Sequence, residues 1–197
     1  MSGTLICDIP YEDFVVRMEE FHGFRSPGIL LGALMVEAAL KEVGTTPYLN
    51  VVTETIVCLP DAVQLLTLCS IGNGFLQVLD WGKFALTAYD RKTLSGIRVW
   101  LNYDALAGYP EICGWFERSP KTKKKPIFEE LAREILKVGS NLLACQSVKL
   151  YQALKTRNMC LQESARIAAN RIPCTTARPV LPAAARLTMN TVNLFKN

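Results

Sequence analysis

The sequence predicts an α+β fold, with helices on the N-terminal side, a run of antiparallel strands behind them, and a helical C-terminal extension. Three observations predict it. Apolar residues recur at helical spacing before residue 44 and again after residue 127. Alternating, often β-branched runs dominate residues 51–102. Gly, Pro and Asp punctuate the boundaries between these runs.

The elements follow in order. Asp8 and Pro10 open a first helix with apolar positions Phe14, Val15, Met18 and Phe21. Ser26 is placed as the N-cap of a second helix, with Pro27 at its first position. Leu30, Leu31, Leu34, Met35 and Ala38 form its stripe, and Gly44 ends it. Val51 to Val57 alternates around Thr53 and Thr55 and reads as a strand that ends at Cys58. Pro60 and Asp61 open a third helix reaching Cys69, with Asp61 at its positive end. Gly72-Asn73-Gly74 breaks that helix. Strands are expected at 75–79, 83–89 and 97–102, and their short connections predict an antiparallel meander.

The run Lys121-Thr122-Lys123-Lys124-Lys125 and Pro126 mark a boundary. It divides the chain into a core of residues 1–119, a basic linker of 120–126 and an extension of 127–197. Helices are expected there at 127–138, 142–154 and 161–169, followed by an irregular segment with Pro173, Pro179 and Pro182.

Half of the 197 residues are apolar, enough for a sizeable core. The formal net charge of +4 is modest, and much of the basic excess lies in the lysine run. No aromatics interleave with it, so it reads as a solvated linker rather than a nucleic-acid surface. No stretch of eighteen apolar residues predicts a membrane span, and the first residues lack a signal-peptide pattern. The seven cysteines are scattered and form no CxxC pair. They are expected to be thiols in a reducing compartment, and the protein to be cytoplasmic.

Two candidates for chemistry converge. His22 is the sole histidine and lies four residues before an expected N-cap, and Cys58 immediately precedes another helix. Helix N-termini favour thiolates and anions, so Cys58 should ionise readily there. If both entrances face one pocket, the two side chains could bind a soft divalent metal or form a thiolate–imidazole pair. Each has a plainer reading, an inert loop histidine and a packing cysteine. Cys69 sits at helical spacing with Leu65 and Leu66 and reads first as core. Gly72 and Asn73 could cradle an anion, although such turns are more often only turns. Lys83 and Arg98 are cations on neighbouring expected strands, available to an anionic ligand or to pairing with Asp80 or Asp90.

The order of the stretches "FHGFRSPGILLGALM", "VCLPDAVQLLTLCSIGNGFLQVLDWGK" and "DRKTLSGIRVWL" resembles the FmdE-like family of formylmethanofuran dehydrogenase proteins, over roughly residues 14 to 105. The resemblance implies a mixed, mostly antiparallel sheet flanked by helices, a thioredoxin-like core. It implies a metal site drawn from a histidine-containing box and a later cysteine, which maps onto His22, Cys58 and Cys69. Asp61 and Gln64 match the family's helix start, Lys83 its Gly-Lys, and Arg98 its late arginine. The chain departs from the pattern at Phe24 and Ser26, where the family has a second histidine and a cysteine. The four-cysteine zinc finger that ends many members is missing too, since Cys160 and Cys174 stand too far apart to pair.

These features support a metal- or ligand-binding accessory protein of anaerobic metabolism, with a degenerate site at His22 and Cys58. The cofactor expected is zinc or another divalent metal, weakly held. One alternative is an enzyme or sulfur carrier using Cys58 as a thiolate nucleophile with Asp61 beside it. A second is a structural interaction module with a vestigial pocket. The expected partners are a small or anionic ligand, a second copy in a homodimer, and a larger redox complex.

Overall fold

The computed structural model describes residues 3–117 and 127–153. Strands β1 (Leu5–Ile6) and β2 (Ile9–Pro10) form a hairpin. Its two turn residues, Cys7 and Asp8, both adopt positive φ, as a tight two-residue hairpin requires. Helix α1 (Tyr11–His22) buries Phe14, Val15 and Met18, whereas Phe21 is exposed. Helix α2 (Pro27–Val43) is buried along most of its length and is the central helix of the core.

Strand β3 (Leu49–Thr53) is buried throughout, then helix α3 (Leu59–Leu66) follows. The strand therefore stops short of the expected Val57, and residues 54–58 form a connection. Next come β4 (Leu76–Val78), β5 (Ala85–Asp90) and β6 (Ser95–Leu101). Two short helices follow, α4 (Tyr103–Leu106) and α5 (Pro110–Phe116), then α6 (Phe128–Val138). A 3-10 turn (Gly139–Leu142) leads into β7 (Leu143–Lys149).

The five-stranded sheet has the order β4-β3-β5-β6-β7. Within it only β3 and β4 run parallel; every other pair is antiparallel. The exception follows from connectivity. Helix α3 carries the chain back along the sheet, so β4 enters in the same direction as β3. The expected three-strand meander thus holds for β5 and β6 alone, because β3 lies between β4 and β5.

The helix expected at 142–154 is instead strand β7, paired with β6 from Leu101↔Leu143 to Ser95↔Lys149. Leu142 enters the core from the turn before the strand. Helix α6 buries Leu131, Ala132, Ile135 and Val138 in the same core as α2 and the sheet. Residues 127–149, expected as the start of an extension, are therefore packed with residues 5–117. The lysine run, Cys160, Cys174, the helix expected at 161–169 and the proline-containing segment lie outside the described residues. No single helix among the described residues is long and apolar enough to cross a membrane.

Candidate functional site

Three helix ends meet: the C-terminus of α1 and the N-termini of α2 and α3. Gly23 closes α1 at φ 90°, and α2 leaves at 117° to it. Glycine reaches that backbone region without a steric cost. Cys58 occupies the N-cap of α3 with φ 57° and ψ −45°. The Leu59 N–H donates to the Val57 carbonyl at 2.6 Å across it, which makes Cys58 the centre of a γ-turn. For a residue with a side chain this conformation costs on the order of 1–3 kcal/mol, which the surrounding packing must offset. The Cys58 carbonyl then accepts from Asp61 N and Ala62 N, both at 3.1 Å, so the strained residue starts the helix.

The thiol that this turn presents lies against α2. Its Sγ is 3.4 Å from Ser26 Oγ. A Cβ at Gly28 would stand 2.8 Å from the sulfur, so only glycine leaves the sulfur its present place. Ser26 is the N-cap residue of α2, as expected, but its side chain makes no capping bond.

His22 and Asp61 join the same three ends by a second contact. His22 Nδ1 and Asp61 Oδ2 are 2.7 Å apart. The histidine side chain is 16% exposed and the carboxylate 35%. His22 Nε2 is buried and has no hydrogen-bond partner among the described residues. The Phe24 ring lies 4.5 Å from the imidazole, at the position where the resemblance implied a second histidine. Phe21, Phe24, Ile56 and Val57, which flank His22 and Cys58 in the chain, are all more than half exposed.

The other expected site residues lie elsewhere. Cys69 is buried beyond the far end of α3 and donates to the Leu49 carbonyl at 3.3 Å. With Cys7 it lines a separate groove of about 710 Å³. Arg98 is engaged by Glu54 through two bonds, at 2.6 and 2.7 Å, and stacks over Trp100. Its acid is therefore neither Asp80 nor Asp90. Glu54 had no motif to mark it; its one signal was an acidic residue closing a β-branched run. Lys83 N donates to the Glu54 carbonyl, and its ammonium has no ion pair among the described residues. The turn at Gly72 and Asn73 satisfies its own groups. Asn73 Oδ1 accepts from Ser70 N and Phe75 N, Asn73 Nδ2 donates to Leu68 O, and Gln64 Oε1 accepts from Ile71 N.

The other described thiols are all shifted towards the neutral form. Desolvation pushes Cys7 up to about 12, helped by Glu37 and Asp8. Desolvation also raises Cys69, and raises Cys113 and Cys145 with help from Glu117 and Glu42 respectively. Among the described residues no group of three or more His, Cys, Asp and Glu side chains is set to hold a metal ion.

A family model described as "FmdE, Molybdenum formylmethanofuran dehydrogenase operon" matches residues 21–152. The chain is 37% identical to an FmdE-like protein of the tungsten formylmethanofuran dehydrogenase type from Syntrophus aciditrophicus, whose crystal structure superposes with a TM-score of 0.66. That match covers 76% of this chain and 78% of the other. The chain is also 35% identical, over 103 residues, to a probable S-adenosyl-L-methionine-binding protein of Archaeoglobus fulgidus. The second match covers 48% of this chain and only 28% of that relative's length.

Proposed function

The chain belongs to the FmdE family, and from that premise we propose that it is an accessory protein, associated with a formylmethanofuran dehydrogenase, that binds a ligand or a soft divalent metal ion at Cys58 and His22. One observation carries the reading. The Asp61 carboxylate holds the His22 imidazole through Nδ1, and Nε2 is left buried with no partner among the described residues. Metal-ligating histidines are commonly oriented in this way, the carboxylate fixing the tautomer and raising the basicity of the other nitrogen.

The residues do not fit a closed four-donor zinc site, because Phe24 and Ser26 offer no further nitrogen or thiolate. We read them instead as one imidazole and one thiolate donor to an ion whose remaining positions are left to an exogenous ligand. Such an ion would act as a Lewis acid toward that ligand. Arg98, neutralised by Glu54, is not free to hold a negatively charged ligand.

The test is a competition titration with zinc or cadmium on protein purified without oxygen or chelator. One ion should bind weakly. His22→Ala and Cys58→Ser should each abolish that binding, and Asp61→Asn should weaken it by about tenfold or more. Unchanged affinity in both His22→Ala and Cys58→Ser would refute the metal site. A second reading, Cys58 as a thiolate nucleophile or sulfur carrier, is favoured by the strained turn that presents this one thiol. It requires Cys58 to be alkylated ahead of Cys7, Cys69, Cys113 and Cys145.

A further inference from the structure

We infer that the open edge of β7 is a self-association surface, on which a second copy of this chain lays its own β7 antiparallel about a two-fold axis at Gln146. The inference does not rest on Cys58 or His22. β7 ends the five-stranded sheet, and its one partner strand among the described residues is β6. The direction of its backbone groups follows from that pairing. The Asn102 N–H donates to the Leu142 carbonyl at one end of the ladder, and the Leu150 N–H donates to the Leu94 carbonyl at the other. The register is unbroken between them, so the backbone groups of Ala144, Gln146 and Val148 face β6. Those of Leu143, Cys145, Ser147 and Lys149 turn outward. Of these outward groups only the Leu143 N–H has a partner among the described residues, the Ser140 carbonyl.

Proteins seldom leave such an edge open. The usual protections are a very short strand, a proline, a bulge or a charge set on the edge. The opposite edge has the first of these, since β4 is three residues long. β7 has none. It runs for seven residues, contains no proline and pairs without a bulge, and Cys145, Gln146 and Ser147 are exposed. Its single charge is drawn back over β6, because Lys149 Nζ donates to Thr93 O at 2.7 Å and to Ser95 Oγ at 3.0 Å. The strand also matches itself. A two-fold axis at Gln146 sets Cys145 against Ser147 of the second copy, and Leu143 against its Lys149, so no charge meets its like. The outward groups then make about six backbone hydrogen bonds, within the range that a specific interface carries. The two Gln146 residues meet at the axis in a close, non-hydrogen-bonded pair, where their side-chain amides can bond to each other.

The experiment is sedimentation equilibrium on the reduced full chain, in which the parent should be a dimer. Gln146→Lys sets two like charges against each other at the axis and should weaken the dimer about tenfold. Ser147→Pro removes an outward N–H and none that bonds β6, so it should give a folded monomer. Gln146→Lys keeps the test decisive should Ser147→Pro not fold. A cross-link fixes the register. Cα atoms in the close pair stand roughly 4.5 Å apart, and a disulfide spans about 4.4–6.8 Å. Gln146→Cys in a Cys145→Ser background, oxidised with diamide, which takes up the two thiol hydrogens, should therefore join the two copies at position 146, read by peptide mass spectrometry. A parent that sediments as a monomer overturns the inference. A dimer that Gln146→Lys leaves at full strength, or in which that disulfide does not form, has its interface elsewhere and overturns it too.

Discussion

At the scale of single residues, the site depends on a backbone conformation that the residue occupying it does not favour. Cys58 holds φ 57° although it carries a side chain. Glycine would relieve most of that strain, yet would add entropy to the unfolded chain. The net expectation is that Cys58→Gly is about 1 kcal/mol more stable than Cys58→Ala in urea unfolding. If Cys58→Ala proves equal or better, the turn is not strained. Cys58, Asp61 and His22 were legible as candidates because helix starts have visible chemistry: a proline, an acid, a residue just before them. The true partner of the Ser26 hydroxyl was not legible. A serine before proline reads as a cap wherever its oxygen points, and the contact to Cys58 spans 32 positions. The Glu54–Arg98 pair was hidden for a similar reason. It spans 44 positions and exists only because β5, lying between them, brings β6 within side-chain reach of the residue that follows β3.

At the scale of elements, the helices and inner strands were readable because each buries one face and so keeps its period. β7 was not. It lies on the edge of the sheet, with Cys145, Gln146 and Ser147 exposed, so burial imposes no alternation on it. The parallel placement of β4 was available in principle, since a helix between two strands predicts it, but the short link from β4 to β5 pointed the other way. The β5–β6 turn carries its own determinant. Asp90 Oδ1 accepts from Lys92 N and Thr93 N, and Oδ2 accepts from Thr46 Oγ1. The backbone N–H of Thr93 contributes most to holding this carboxyl below its usual value of 3.8. A depressed folded value means that the stabilisation is present above the unfolded value and lost as pH falls through the folded one. Asp90→Ala should therefore lower the thermal midpoint at pH 7, and the difference from the parent should fade below about pH 4. A difference that persists undiminished at pH 2 would show that the carboxylate is not its source.

At the scale of the whole molecule, the lysine run looked like the seam between a core and an appendage. The described residues that follow it do not behave as an appendage, because Leu131, Ala132, Ile135 and Leu142 are buried against α2 and the sheet. A chain ended after Lys125 loses all four together with the strand that covers β6. It should show no cooperative thermal transition and should bind a hydrophobic dye, as a chain with an open core does. A sharp transition close to that of the parent would restore the two-part description. The pairing of β6 with β7 also governs the order in which the molecule is made. Strands β5 and β6 are joined by a short turn, whereas Lys149 meets Ser95 across 54 positions. Closing the longer loop costs more entropy and is slower, so β7 is expected to join a sheet that already exists. In pulsed hydrogen exchange during refolding, amides of residues 143–149 should gain protection after those of residues 85–90; simultaneous protection would argue against this order. On the ribosome, β6 must wait with one edge bare until its last partner has been synthesised, and during that interval the nascent chain is most open to pairing with the wrong strand.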